Sequence, residues 1–388
     1  MKTIVACVAL LCISLPASGG PSYRVGYFTY YSNAGLTGQA ISELPTNLFT
    51  HIIYFYTPYS DLAPLFAPGQ LEDQWVRLRD WAHAHDIKVL MCYADADLTH
   101  LNDANVVNTV HLLMQFISSK RYDGIDVDIE TAWTQPDMVR FVKLLRDSLD
   151  ARGGGHKYIS CYATFGKPAE MATWKACEPQ MDWVNVSAYD IVGSWTGYTS
   201  HFSPLFSPLA GHDDGQNINS SINGWKSNGY PPAKILAGGT CNAEMYIGGA
   251  GCCLSSGGGC TGGAALPGQR WSTPPAALPD VRFRDNGQYW STKPLLWDSA
   301  VQSAYISIDH PGSAQDTLIC FNDSRALVRK WQYAAQNGLG GVYFWDIAGT
   351  FESWKPLGQE RWSIIRSVAK ALFGDEPRRP TVKQKHKK

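Results

Sequence analysis

A closed (β/α)8 TIM barrel, an α/β fold, is predicted by three observations on this 388-residue chain. Short runs rich in β-branched and aromatic residues recur eight times, helical patterns separate most of them, and acids or aromatics stand at the carboxyl ends of several runs. Eight strands alternating with helices imply parallel pairing through βαβ units. At this length a single closed barrel is the leading architecture, with a reduced insertion between the seventh strand and the last helix pair.

Strands are expected at Tyr23–Tyr30, Phe49–Phe55, Lys88–Tyr93, Gly124–Glu130, Tyr158–Thr164, Trp183–Tyr189, Ile235–Gly239 and Gly341–Trp345. Leu71–Ala84, Val106–Ser119, Met138–Arg152 and Ser324–Asn337 carry apolar residues at helical spacing. The rhythm breaks once, over about 240–323. That segment holds Tyr289-Trp290, Trp297-Asp298 and Tyr305-Ile306 and reads as an insertion on the carboxyl-end face, walling one side of a groove. No Pro/Ser/Thr-rich linker and no repeat of period 20–50 is visible.

Residues 1–19 read as a secretory signal: Lys2, the apolar stretch Ile4–Leu15, then Pro16-Ala17-Ser18-Gly19. The apolar stretch is too short to span a bilayer, so the expectation is a secreted, extracellular protein with no membrane span. The barrel would occupy 20–375. Residues 376–388, with Arg378-Arg379 and His386-Lys387-Lys388, form a basic tail of disordered character. A formal net charge of −1 gives no field to steer nucleic acid, and a monomer is expected. Eight of the ten cysteines lie beyond the leader, an even set that implies disulfides in an oxidising compartment. Cys241, Cys252, Cys253 and Cys260 crowd one glycine-rich stretch that looks like a stapled loop. A zinc site there lacks the paired Cys-x-x-Cys or nearby His it would need.

Residues 121–130, Arg-Tyr-Asp-Gly-Ile-Asp-Val-Asp-Ile-Glu, carry the most information. Asp126, Asp128 and Glu130 alternate with Ile125, Val127 and Ile129, which puts three carboxylates on one strand face, roughly 7 Å between successive acids. Such an array is not kept for stability, because unpaired buried charge is costly. It does raise the pKa of at least one member, the property a general acid needs. An acidic edge strand would not need three β-branched residues between the acids. A calcium loop would need the glycine and ligand spacing that is missing here. No phosphate loop, Ser/His nucleophile pair or metal-ligand cluster competes, so no cofactor and no metal are expected.

Tyr122 through Glu130 resembles the Asp-x-x-Asp-x-Asp-x-Glu signature of family 18 glycoside hydrolases, the chitinase family, with all four acids and the flanking Tyr and Gly present. Val25-Gly26-Tyr27-Phe28 is similar to that family's first strand, Thr50-His51-Ile52-Ile53-Tyr54 to its second, Val186–Asp190 with Gly193-Ser194-Trp195 to its sixth, and Gly340–Trp345 to its eighth. The resemblance covers roughly 23–373 and implies the same barrel. It also implies substrate-assisted, retaining cleavage, the stated exception among two-carboxylate glycosidases, in which the substrate's N-acetyl oxygen attacks the anomeric carbon. Glu130 is then the proton donor and later the base. Asp128 orients the acetamido N–H, Asp126 tunes Asp128, and Tyr189 bonds the acetamido oxygen. Trp345 is the apolar floor under the −1 sugar. Tyr27, Asp190 and Asp123 are further candidate contacts, Asp123 rather as a structural partner at the strand start.

Three segments depart from the family pattern. Cys92-Tyr93-Ala94-Asp95-Ala96 replaces the usual Ser-x-Gly-Gly, Ser187 stands where Met is common, and Gly238–Asn242 lacks a Tyr-Gly end. The insertion is also short of the full α+β insertion of deep-groove chitinases, which implies a shallower cleft. The expected activity is secreted hydrolysis of β-1,4-linked N-acetylglucosamine polymers, with chitin or its oligosaccharides as the partner. The alternatives are an endo-β-N-acetylglucosaminidase acting on N-glycans or peptidoglycan, and a non-hydrolytic chitin-binding lectin. The lectin sits poorly with the retained Glu130.

Overall fold

The computed structural model describes residues 22–29, 38–57, 59–62, 70–94, 98–130, 134–191, 198–206, 217–247, 266–268, 280–282, 287–310 and 316–374. The expected leader, the basic tail, Cys252, Cys253, Cys260 and Trp195 lie outside these residues. Strands β1 (Tyr23–Thr29), β2 (His51–Thr57), β3 (Lys88–Ala94), β4 (Gly124–Asp128), β5 (Tyr158–Ala163), β6 (Trp183–Val186) and β7 (Ile235–Thr240) come first in the chain. There follow β8 (Asn242–Ile247), β9 (Asp280–Arg282), β10 (Leu296–Asp298), β11 (Ser303–Ile308) and β12 (Thr317–Phe321), and finally β13 (Gly341–Trp345). A closed parallel barrel forms in the order β1-β13-β7-β6-β5-β4-β3-β2.

Parallel strands covered on both faces must be apolar on both, and the two faces here feed different cores. Ile125, Val127 and Ile129 face outward, into a cluster shared with helical residues such as Leu113, Phe116, Phe141 and Leu145. Val25, Tyr27, Ile53, Leu90, Cys92, Trp183, Leu236 and Tyr343 fill the barrel itself. Close approach at the strand starts selects glycine. A Cβ on Gly124 would lie 2.2 Å from the Tyr158 carbonyl oxygen, and one on Gly341 would lie 1.9 Å from that of Tyr23.

The helices are α1 (Gly38–Ser42), α2 (Tyr59–Leu62), α3 (Gln70–His83), α4 (Val106–Lys120), α5 (Gln135–Arg152), α6 (Pro168–Cys177), α7 (Ile218–Ser227), α8 (Gly287–Thr292), α9 (Ser324–Gln336) and α10 (Ser363–Phe373). Helix α5 begins three residues before the expected Met138. Proline sits in its first turn and the Thr134 side chain accepts the Asp137 N–H, two start signals that precede the first apolar residue. Asp323 caps α9 in the same way, accepting the Ala326 N–H at 2.8 Å.

The insertion has more architecture than a walling loop. Strands β8 to β12 form an antiparallel sheet in the order β10-β11-β12-β8-β9, with a core of Ala243, Met245, Ala304, Ile306, Ile308, Ile319 and Phe321. Two of its strands are three residues long, too short to leave a periodic signal in sequence. The disulfide expectation is corrected for five positions: Cys92, Cys161, Cys177, Cys241 and Cys320 are buried free thiols, packed as small apolar side chains. Among the described residues no helix is long and apolar enough to cross a membrane.

Candidate active site

Strand β4 positions the acids. Asp126 and Asp128 point inward and are buried, at 0% and 8% exposure. The strand ends at Asp128, two residues earlier than the sequence indicated, so Glu130 leaves the sheet and is exposed beyond its carboxyl end. The ladder therefore runs from the dry interior outward to solvent.

Asp126 is held by four donors, the Cys92 thiol among them. The Tyr27 hydroxyl donates at 2.7 Å, the Ser160 hydroxyl at 2.5 Å and the Asn185 amide at 3.2 Å. Asn185 also donates to the Tyr27 oxygen at 3.0 Å, while its own carbonyl accepts the Trp183 indole N–H at 3.0 Å. Burial pushes Asp126 up to about 6, and the hydrogen bonds from Ser160, Tyr27, Cys92 and Asn185 pull the other way.

Asp128 is raised well above the usual carboxylate range, first by burial, then by the charges of Glu130, Asp126 and Glu170. Its Cα is level with Ala94 on β3, so no bulky side chain covers it from that neighbour. Glu130 is also raised, by burial first, then by Glu170 and Asp190, with Lys167 opposing. Burial, more than repulsion along the ladder, is thus the main cause for all three acids. Glu170, a neighbour the sequence did not single out, supplies more of the repulsion felt by Glu130 than any other acid.

The other expected residues divide. Tyr189 is buried and lies 3.4 Å from the Tyr343 hydroxyl, which donates to it; burial first, then the neighbouring Tyr343 and Tyr162, keeps its phenol protonated far above the ordinary range. Trp345 ends β13 and is braced edge-on by Phe55, with centroids 4.8 Å apart at 83°, and by Tyr27 at 5.3 Å. One side of this indole is therefore fixed by aromatic packing. Asp190 is exposed after β6, in the left-handed region at φ 59°, where Asp is among the residues that tolerate it. Its carboxyl is raised by burial.

Two of the candidate residues lie away from the cleft surface. Tyr27 is fully buried and spends its hydroxyl on Asp126, beneath the acids instead of on the cleft surface. Asp123 lies at the opposite end of β4. It accepts the Val89 N–H at 2.9 Å, pairs with His83 Nε2 at 2.8 Å and lies 3.8 Å from Lys157 Nζ. That is the structural place at the strand start.

Sequence reasoning missed Ser160, Asn185, Tyr343, Tyr162 and Glu170. Ser160 and Asn185 had a faint signal, single polar residues at inward positions of apolar runs, but their partner is 34 and 59 residues away. Ser187 accepts from the Tyr162 hydroxyl at 3.1 Å, so the position where the family commonly has Met carries a polar contact. Among the described residues no group of three or more His, Cys, Asp or Glu could hold a metal ion.

An exposed carboxyl at the mouth, a buried carboxylate pair behind it, a phenol and an indole make a constellation suited to general acid catalysis on a ring-bearing substrate. Chitinase A1 of Niallia circulans is 26% identical over 269 residues, 61% of this chain and 36% of that protein. A probable endochitinase of Caenorhabditis elegans is 25% identical over 284 residues, 67% of this chain and 42% of that one. The chain thus spans less than half the length of these curated relatives. A Cycas revoluta chitinase solved in complex with (GlcNAc)4 shares the fold, with a TM-score of 0.69, 18% identity and 90% and 99% of the two chains covered. The sequence profile described as Glycosyl hydrolases family 18 matches residues 24–349, and the chain belongs to that family.

Proposed function

We propose that this protein is a secreted chitinase, hydrolysing β-1,4-linked N-acetylglucosamine polymers with retention and with the substrate's acetamido group as nucleophile. The observation that carries the reading is the graded ladder: a buried, hydrogen-bonded Asp126, a buried and strongly raised Asp128, and an exposed, raised Glu130. Relatives named as chitinases and a neighbour solved with a GlcNAc oligosaccharide support the substrate class.

In this reading Glu130 gives its proton to the glycosidic oxygen and, after the leaving group departs, takes one from water. A raised carboxyl keeps its proton to higher pH than an ordinary glutamate does, which favours the first step. Asp128 turns to the acetamido N–H and orients the carbonyl oxygen towards the anomeric carbon. The positive charge of the resulting oxazolinium ion then stabilises the ionised form of Asp128, and Asp126, whose donors favour its charged state, relays the change. Tyr189, a phenol that keeps its proton, donates to the acetamido oxygen. Trp345 supplies the hydrophobic floor beneath the −1 ring. The leader expected at 1–19, the extracellular location and a monomeric state belong to the same proposal.

Purified protein incubated with chito-oligosaccharides tests it: cleavage by the wild type and its loss in Glu130→Gln are expected. No cleavage, with binding intact by calorimetry, would make the protein a lectin. Release of glycan from a high-mannose glycoprotein, with chitin untouched, would make it an N-glycan endoglycosidase, the substrate shift that Ser187 and Ala94 leave room for.

A further inference from the structure

We infer that Glu170 is a positioning residue for the proton donor, a fourth carboxylate anchored on the adjacent strand that sets the pH range over which Glu130 carries its proton, with Lys167 as its counterweight. The inference rests on the hydrolase reading above and names a determinant of the same site.

The geometry comes from strand register. Strands β4 and β5 are parallel with Val127 opposite Cys161; Thr164 directly follows β5 and Glu130 lies two residues past β4, at the same end of the pair. Thr164 grips Glu170 twice. Its N–H donates to Oε1 at 2.9 Å and its hydroxyl donates to Oε2. Glu170 lies in the first turn of α6, two residues after Pro168 and three after Lys167. Both carboxylate oxygens are thus tied to the residue that follows the neighbouring strand β5. A fixed negative charge at that range favours the neutral form of a neighbouring acid. Burial contributes most to the raised Glu130, and the Glu170 charge comes next; the same charge acts on Asp128.

Among the described residues, the titratable groups facing Glu130 can be placed. Asp128 shares its strand, Cys92 comes from β3, Tyr162 from β5, Glu170 and Lys167 from the β5–α6 turn, and Asp190 from the segment after β6. Lys167 is the cation whose charge opposes the rest. The alternative reading is that Glu170 only clasps the β5–α6 turn, in the manner of a helix-start acceptor. A clasp has no preferred direction in a pH profile, whereas a charge does.

Two charge-removing variants separate these readings. Glu170→Gln keeps a carbonyl acceptor for the Thr164 donors and removes the charge. The basic limb of kcat/KM on a chito-oligosaccharide, which reports loss of the Glu130 proton, should move to lower pH by about half a unit or more. Lys167→Met removes the opposing charge, and the same limb should move to higher pH. Shifts of opposite sign support the proposal. No shift, or shifts of the same sign, with kcat at the optimum retained, would overturn it and leave the clasp.

The failures stay distinguishable. A wild type that cleaves nothing sinks the hydrolase reading, and the charge effect is then read without turnover. Titration of the Glu130 side-chain carboxyl by 13C NMR, assigned with Glu130→Gln, should still give a lower midpoint in Glu170→Gln than in the wild type. Equal midpoints would overturn the inference.

Discussion

Strand β4 carries two kinds of aspartate, and its two ends differ in how their charge is treated. At the amino end Asp123 meets a backbone N–H, an imidazole and an ammonium group. Together these contacts tie α3, β3 and the residue before β5 to the strand start. At the carboxyl end Asp128 meets burial and three like charges, all of which disfavour its ionised form. A chain under selection for stability alone would not keep the second arrangement. The same residue type, five positions apart, therefore serves stability at one end and, in the proposed function, chemistry at the other.

The comparison can be broken by substitution, the largest effect first. Glu130→Gln should lower kcat on chito-oligosaccharides by about 10² to 10⁴-fold with little change in Tm, since Glu130 is solvent-exposed. Retained turnover would remove the carboxyl end's claim to chemistry.

Asp126 gives a pH-dependent effect. Its carboxyl rises from 3.8 to about 6 on folding, so the folded state holds its proton more tightly than the unfolded chain does. The associated stability is full below pH 4 and is lost as pH rises through 6, by roughly 3 kcal/mol. Asp126→Asn should flatten this part of the Tm-versus-pH curve, which differential scanning calorimetry would measure.

Asp128→Asn sharpens the contrast. It should reduce kcat by roughly 10²-fold while Tm at neutral pH holds or rises, because an acid that resists ionisation is replaced by a neutral amide. A fall in Tm would place Asp128 with Asp123. The smallest effect is expected at the other end. Asp123→Ala leaves the Val89 N–H without its acceptor and should cost about 1–3 kcal/mol in urea unfolding, with kcat per folded molecule unchanged.

Much of this was legible in sequence, for physical reasons that differ by element. The eight barrel strands were found because period-two runs and long buried strands leave a local signature, and the acid ladder because alternation survives in any reading frame of the strand. The termination of β4 at Asp128 was not legible. Nothing in Ile129-Glu130 marks a strand end, and the exit from the sheet depends on neighbouring strands. The support of Asp126 was hidden for a related reason. Ser160, Asn185 and Tyr27 come from three other strands, and only the barrel order brings them together. Tyr27 was a candidate contact through the family resemblance, not through its position on the strand. Inward near the base of the acids means core, whereas inward at the rim means cleft, and one sequence does not tell these depths apart. Short strands β9 and β10 were invisible because three residues carry no period.

One junction has a further consequence. Strands β7 and β8 are separated by Cys241 alone, whose N–H bonds the carbonyl of Trp345 at 3.2 Å, while the Asn322 amide at the other root bonds the Thr240 carbonyl at 3.0 Å. The appended sheet is therefore grafted onto the staves of the barrel and has no hinge at its base. Any redesign that trims it to alter how far a polymer is gripped must cut beyond Asn242, because a cut at the root would also tilt the indole on which the sugar is meant to rest.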